Sequence, residues 1–253
     1  MSERQLLSVE DVLNLHEPPW LVDRILPARA VSMVWGPPNI GKSFLTLDLA
    51  ASVAVGGQWL QQQVTAPEPV IYVAAEGAYS FKRRLDGWIR ARGVDLDHFE
   101  ERLWFLNGSV QLHDGVESFI RLVRSHEPRL VIFDTLAACS LGNDEDNVGE
   151  RGAVMSNILK LRKSLDATIL LVHHTGWNTE HERGSSALRG IMDTSLEIQG
   201  SDGWDDPNKD INRRWLVCSK QRDAMKFKDI TFRLEDMLWM GREHVLQTKV
   251  VAT

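Results

Sequence analysis

The octet Gly36-Pro37-Pro38-Asn39-Ile40-Gly41-Lys42-Ser43 decides how this chain is read. It fits the pattern G-x-x-x-x-G-K-[ST], and its flanks are those the pattern requires. Upstream, Ala30-Val31-Ser32-Met33-Val34-Trp35 is a β-branched and apolar run that predicts a buried strand. Downstream, Phe44-Leu45-Thr46-Leu47-Asp48-Leu49-Ala50-Ala51 has helical composition. In the order strand, loop, helix, consecutive backbone N–H groups and the helix N-terminus face phosphate, Lys42 reaches the β and γ oxygens as a point charge, and Ser43 offers its hydroxyl to Mg²⁺. Gly36, Pro37, Pro38, Asn39, Ile40, Gly41, Lys42, Ser43 and Phe44 are therefore the expected contacts of a nucleoside triphosphate.

Outward from the octet, strand-like runs alternate with helical stretches. The strands are expected at Val70 to Ala74, Leu103 to Leu106, Leu130 to Phe133, Thr168 to Val172, Ser195 to Ile198 and Trp215 to Ser219. Helical periodicity covers Tyr79 to Arg92, Val116 to Ser125 and Gly149 to Leu165. Such alternation predicts βαβ units, hence an α/β fold with a largely parallel central sheet covered by helices on both faces. From Asp223 the spacing tightens, with strand-like pieces at Asp229 to Leu234 and His244 to Val250, which predicts a C-terminal antiparallel extension at a sheet edge. One domain is expected over 1–253, with a lead-in at 1–28 and the extension at 223–253. Gln58 to Pro69, Gly142 to Glu150, Trp177 to Ser185 and Gly200 to Asn212 carry the turn and polar composition of flexible connections.

Composition bounds the remaining classes. A chain of 253 residues with 43% hydrophobic content buries one sizeable core. No apolar run is long enough to span a bilayer, and Met1-Ser2-Glu3-Arg4-Gln5 lacks the pattern of a secretory signal, so no membrane partner and a cytoplasmic location are expected. Cys139 and Cys218 have no CxxC spacing and read as small buried hydrophobes. With 29 basic and 35 acidic residues, a net charge of -6 gives no global attraction to nucleic acid, so any such contact must be local.

Phosphate chemistry needs a metal-holding carboxylate, and Leu130-Val131-Ile132-Phe133-Asp134 ends an apolar strand in one. Asp134 would hold Mg²⁺ or its first-shell water beside the phosphates, with Ser43, at the edge where such sheets collect ligands. Glu76 follows the strand Val70 to Ala75; on the same edge it would orient and deprotonate an attacking water, and its other reading is a helix-start acid favoured by the dipole. Thr168-Ile169-Leu170-Leu171-Val172-His173-His174-Thr175-Gly176 is a buried strand whose end turns polar. Alternation lets one imidazole of the pair face the γ-phosphate, and His174, rather than His173, is the expected sensor, relaying hydrolysis to the next loop; the pair's other reading is a metal site.

Together these motifs resemble the RecA-superfamily ATPases, and within them the RepA-like plasmid and phage replicative helicases, more distantly DnaB and KaiC. The resemblance spans about Trp20 to Lys220 and rests on Pro19-Trp20-Leu21-Val22, the octet, Ala75-Glu76-Gly77, Arg84-Leu85, Asp134-Thr135-Leu136, the acidic turn Asn143 to Asn147, His173-His174-Thr175-Gly176 and Arg183-Gly184-Ser185-Ser186-Ala187-Leu188. It implies a RecA-like P-loop NTPase fold, ATP with Mg²⁺, Glu76 as catalytic carboxylate, Arg84 close to the phosphates, and a hexameric homo-oligomeric ring threaded by single-stranded DNA.

Ring ATPases complete each site with a neighbour's cation, which stabilises charge on the transferred phosphoryl. Ser219-Lys220-Gln221-Arg222 is similar to the Lys-x-Arg element that DnaB-like and KaiC-like proteins use, although an exposed basic turn is its other reading. Arg183 is a weaker candidate, and Asp193 stands where the plasmid helicase carries an arginine. For DNA, Trp177 in the loop after the histidines would stack a base or pack against a neighbouring subunit, while the Gly142 to Glu150 loop is acidic. The basic stretch Lys82 to Arg92 spreads its charges around several helical faces and reads as solvated. Two outputs follow from the same chemistry: a replicative helicase, or a KaiC-like or RadA-like regulatory or recombination-accessory ATPase that does not unwind.

Overall fold

A computed structural model describes residues 6–15, 19–77, 79–140, 148–174, 186–200, 210, 212–239 and 243–250. In chain order its elements are α1 (Val9–Leu13), β1 (Trp20–Val22), β2 (Leu26–Pro27), β3 (Val31–Gly36), α2 (Lys42–Val55), β4 (Gln58–Trp59), β5 (Gln62–Gln63), β6 (Val70–Ala74), α3 (Tyr79–Arg92), β7 (Leu103–Asn107), α4 (Val116–Val123), β8 (Leu130–Asp134), α5 (Val148–Leu165), β9 (Thr168–His174), α6 (Ser186–Ile191), β10 (Thr194–Gly200), β11 (Arg213–Gln221), β12 (Ile230–Trp239) and β13 (Glu243–Val250). Among the described residues β7, β6, β8, β9, β3 and β10 lie side by side and parallel, and β11, β12 and β13 continue the same sheet antiparallel. The fold is therefore the expected α/β arrangement, a largely parallel sheet with an antiparallel C-terminal part.

Continuous apolar runs such as β3, β6 and β8 are buried on both faces, as parallel strands require. Side-chain alternation sorts them into two cores. Val34, Tyr72, Ala74, Leu130, Ile132, Leu170 and Val172 pack beneath α2, with its Leu45, Leu49 and Val53. Met33, Trp35, Ile71, Val73, Val131, Phe133, Ile169 and Leu171 pack on the other face, with Phe119 and Ile120 of α4 and Ile158 and Leu161 of α5. The same parity carries Asp134 and His174 onto the α2 face and His173 onto the opposite one.

Two expectations are corrected. The antiparallel part begins at β11, with Arg213, rather than at Asp223: β11 pairs antiparallel with β10. A parallel β11 would need an apolar crossover helix, and the polar, turn-forming sequence between Gly200 and Arg213 offers none. Nor is Gln58 to Pro69 a loose connection. Trp59, Leu60 and Val64 are buried in the core, and β4 and β5 form a hairpin in which Leu60 and Gln61 both have positive φ, 50° and 63°. That pair of angles has the signature of a tight I′-type turn, whose twist matches its strands. The acidic turn Asn143 to Asn147 and the Thr175 to Ser185 segment, with Trp177 and Arg183, lie outside the described residues. No helix among the described residues is long and apolar enough to cross a membrane.

Candidate active site

The octet links the C-terminal end of β3 to the N-terminus of α2, at the sheet edge where β6, β8 and β9 also end. β9 lies between β3 and β8, so its histidines stand between the loop and Asp134. Two glycines are required here. A Cβ on Gly36 would stand 2.7 Å from the Ile198 carbonyl oxygen, too close for β10 to remain beside β3. Gly41 caps α2 with φ +105°, and a Cβ there would meet Leu234 Cδ1 at 2.5 Å. Arg214 Nε donates to the Ile40 carbonyl at 3.1 Å, so β11 and β12 form the floor against which the phosphate loop is set.

Lys42 is buried, and its ammonium donates to the carbonyls of Gly36 at 3.0 Å and Pro37 at 2.7 Å. Burial pushes it down to about 8, opposed by the carboxylates of Asp134 and Glu76. At neutral pH it remains a cation with little water around it. Asp134 ends β8, buried; Tyr72 Oη donates to its Oδ2 at 2.7 Å, and the Ser43 hydroxyl hydrogen-bonds it as well. Desolvation raises the carboxyl, while these two hydrogen bonds and Arg84 pull it back toward the ionised form. One hydroxyl and one carboxylate in mutual contact are a donor set that suits Mg²⁺, which takes few protein oxygens and fills its shell with water and phosphate.

Glu76, just past β6, is exposed, and its Oε1 accepts from Thr135 Oγ1 at 3.3 Å. His174 pairs with Gly36 across the β9–β3 ladder. Burial, then the charge of Lys42, lowers its imidazole below the usual value, against the pull of Glu76 and Asp134. Its Nδ1 is buried without a hydrogen-bond partner among the described residues. On α3 the Arg84 guanidinium lies 4.3 Å above the Phe44 ring and acts electrostatically on Asp134. While Lys82 and Arg83 are exposed, Arg84 and Arg92 turn toward α2, so α3 is solvated on one side only. Lys42, Ser43, Glu76, Arg84, Asp134 and His174 thus meet at one edge.

Lys220 and Arg222 do not join them within the subunit. Lys220 pairs with Ser195 and Gln221 with Thr194, which lies beside Ser32 near the start of β3. Gly36 is four residues further on, about 13 Å along the strand. Lys220 Nζ donates to the Arg189 carbonyl at 2.7 Å. Arg222 donates to Asp193 Oδ1 and to the Gly190 carbonyl, both at 2.7 Å, so it is engaged rather than projecting as a bare cation. Asp193 also accepts from the Val31 backbone N–H at 2.9 Å and sits 3.6 Å from Arg162. The aspartate that departs from the helicase pattern is an anchor for the start of β3.

Sequence reasoning missed Tyr72, Thr46, Thr135, Arg214 and Leu234. A lone hydroxyl in the run Val70 to Ala74, at the parity of Asp134, signals Tyr72; nothing local marks Arg214 or Leu234, which meet the loop only through the fold.

A family model described as AAA domain matches residues 3–180. The chain belongs to the AAA domain family. Lys42, Ser43, Glu76, Arg84, Asp134 and His174 fall inside the matched span, and Lys220 and Arg222 lie beyond it. This AAA domain is also similar in fold to a solved structure, the crystal structure of the RadB recombinase, with TM-score 0.59 and 18% identity over 82% of this chain and 88% of that one. The AAA domain has a RecA-like P-loop fold.

Proposed function

We propose that this AAA domain is an Mg²⁺-dependent ATPase, a single domain over 1–253 that works as a ring of identical subunits on single-stranded DNA. The observation that supports it is the convergence of Lys42, Ser43, Asp134 and Glu76 at one sheet edge. Lys42 exchanges the carbonyls of Gly36 and Pro37 for the β and γ oxygens of ATP. Ser43 and Asp134 would hold Mg²⁺, which would supply neutralising charge to those phosphates. Glu76, steered by Thr135, orients the attacking water and accepts its proton, and Arg84 adds positive charge beside Asp134. His174, kept neutral by burial and by Lys42, hydrogen-bonds the γ-phosphate side and passes its loss to the segment that follows.

Because Lys220 and Arg222 sit roughly 10 and 17 Å along the strands from the level of their own phosphate loop, a catalytic role for them requires a neighbouring subunit. Arg222 would then leave Asp193 as the interface forms. With the RepA-like motifs, this supports a hexameric replicative helicase. A second reading, a recombination-type accessory ATPase without unwinding activity, is favoured by the likeness in fold to the RadB recombinase. The ATPase rate with and without single-stranded DNA, across a salt series, separates them. Stimulation that Trp177→Ala removes while basal hydrolysis persists supports the DNA motor. Turnover indifferent to DNA at every salt concentration contradicts it and leaves the accessory reading.

A further inference from the structure

Tyr72 stands in the middle of an otherwise apolar strand and is wholly buried. A phenylalanine would supply the same packing, so the hydroxyl needs its own explanation: a buried phenol without a partner is destabilising. Its Oη lies 2.7 Å from Asp134 Oδ2 and 2.9 Å from Thr46 Oγ1. An ionised carboxylate only accepts, so the phenol proton goes to Asp134. With that proton committed, Thr46 Oγ1 is the donor to Tyr72 Oη and shares its proton with the Lys42 carbonyl, 3.1 Å away. The ring cannot swing off this line, because Phe81 and Phe105 stand against it with centroids 4.8 and 5.6 Å distant. A continuous chain of contacts therefore runs from the first turn of α2 through Thr46 and Tyr72 to Asp134, joining β6, β8 and the phosphate-loop helix.

We propose that Tyr72 is a positioning residue for the metal site, its phenol pinning the Asp134 carboxylate in the orientation that receives Mg²⁺ and Thr46 holding the phenol in place. The proposal rests on the reading of Ser43 and Asp134 as the Mg²⁺-holding pair. Carboxylates that hold metals are themselves oriented by hydrogen-bonded partners, and losing such a partner typically costs roughly 10–100-fold in metal affinity. Tyr72 need never touch nucleotide or metal to have that effect.

Binding of a fluorescent ADP analogue, titrated with Mg²⁺ and compared with binding in EDTA, tests it without turnover. For Tyr72→Phe the Mg²⁺ concentration giving half the metal-dependent gain in affinity rises at least about tenfold, while affinity in EDTA matches wild type. Thr46→Val, which keeps the phenol and removes its second partner, moves the midpoint in the same direction by less. An unchanged midpoint in both variants overturns the proposal. So does an equal loss of affinity in EDTA, because the hydroxyl would then shape the phosphate loop rather than the metal site. Wild-type binding that ignores Mg²⁺ altogether sinks the Ser43–Asp134 reading instead, and the proposal with it.

Discussion

At the scale of single residues the site combines groups that the sequence names with groups that only the fold supplies. Lys42, Ser43, Asp134, Glu76 and His174 are legible because each stands at a boundary where an apolar strand or a glycine loop turns polar. Leu234 is not, since its meaning comes from contact with Gly41, 193 residues earlier in the chain by their numbering in the sequence. Gly41 answers to two demands, a φ of +105° and the approach of Leu234 to where a Cβ would be, 2.5 Å away. Gly41→Ala is therefore expected to cost about 1–3 kcal/mol in backbone strain alone, read as a lower denaturant midpoint. Nucleotide affinity should fall with it, because the loop can no longer rest on β12. Adding Leu234→Ala relieves the contact and leaves the strain, so the double variant recovers part of the lost nucleotide affinity, while truncating a buried leucine lowers the denaturant midpoint further. A Gly41→Ala protein that melts and binds like wild type would contradict this account of the loop.

At the scale of elements, α3 was legible in its bounds, Tyr79 to Arg92, and only half legible in its environment, because a charged helix looks solvated until its partner is known. Asp48 of α2 is that partner. Buried at 1% exposure, its Oδ1 accepts from Trp88 Nε1 at 2.7 Å and from Arg92 at 3.0 Å. The bonds fasten α3, and with it Arg84, over α2. Burial pushes the Asp48 carboxyl up to about 6 from 3.8, against Arg92 and the Trp88 bond. The folded protein therefore keeps a proton there that the unfolded chain has already lost. The contribution to stability is full below about pH 4 and is lost as pH rises through about 6, by up to about 3 kcal/mol. Urea melts of wild type and Asp48→Asn from pH 4 to 7 should show wild type losing stability relative to the variant across that window. A constant difference would mean that Asp48 is ionised throughout.

Over the whole molecule, the phosphate loop, Asp134 and His174 occupy one end of the sheet, and Lys220 and Arg222 lie toward the other. Alternating strands and helices made the parallel half readable, but the reversal at β11 was not, because strand direction depends on what the connection can build. If the two ends meet between subunits, Lys42→Ala and Arg222→Ala fail separately for different reasons. Mixed assemblies then pair an intact phosphate loop with an intact arginine and recover part of the turnover. No recovery, with subunit exchange verified, would confine Arg222 to its bond with Asp193.

Glu76, we propose, completes an ATP-hydrolysing site built by Lys42, Ser43 and Asp134, and Glu76→Gln separates binding from turnover at that site. Its amide can hold a water and cannot take the proton, so ATP affinity should stay near wild type while steady-state turnover falls by roughly 10²–10⁴. A Glu76→Gln protein that binds ATP and hydrolyses it at the wild-type rate would contradict that role.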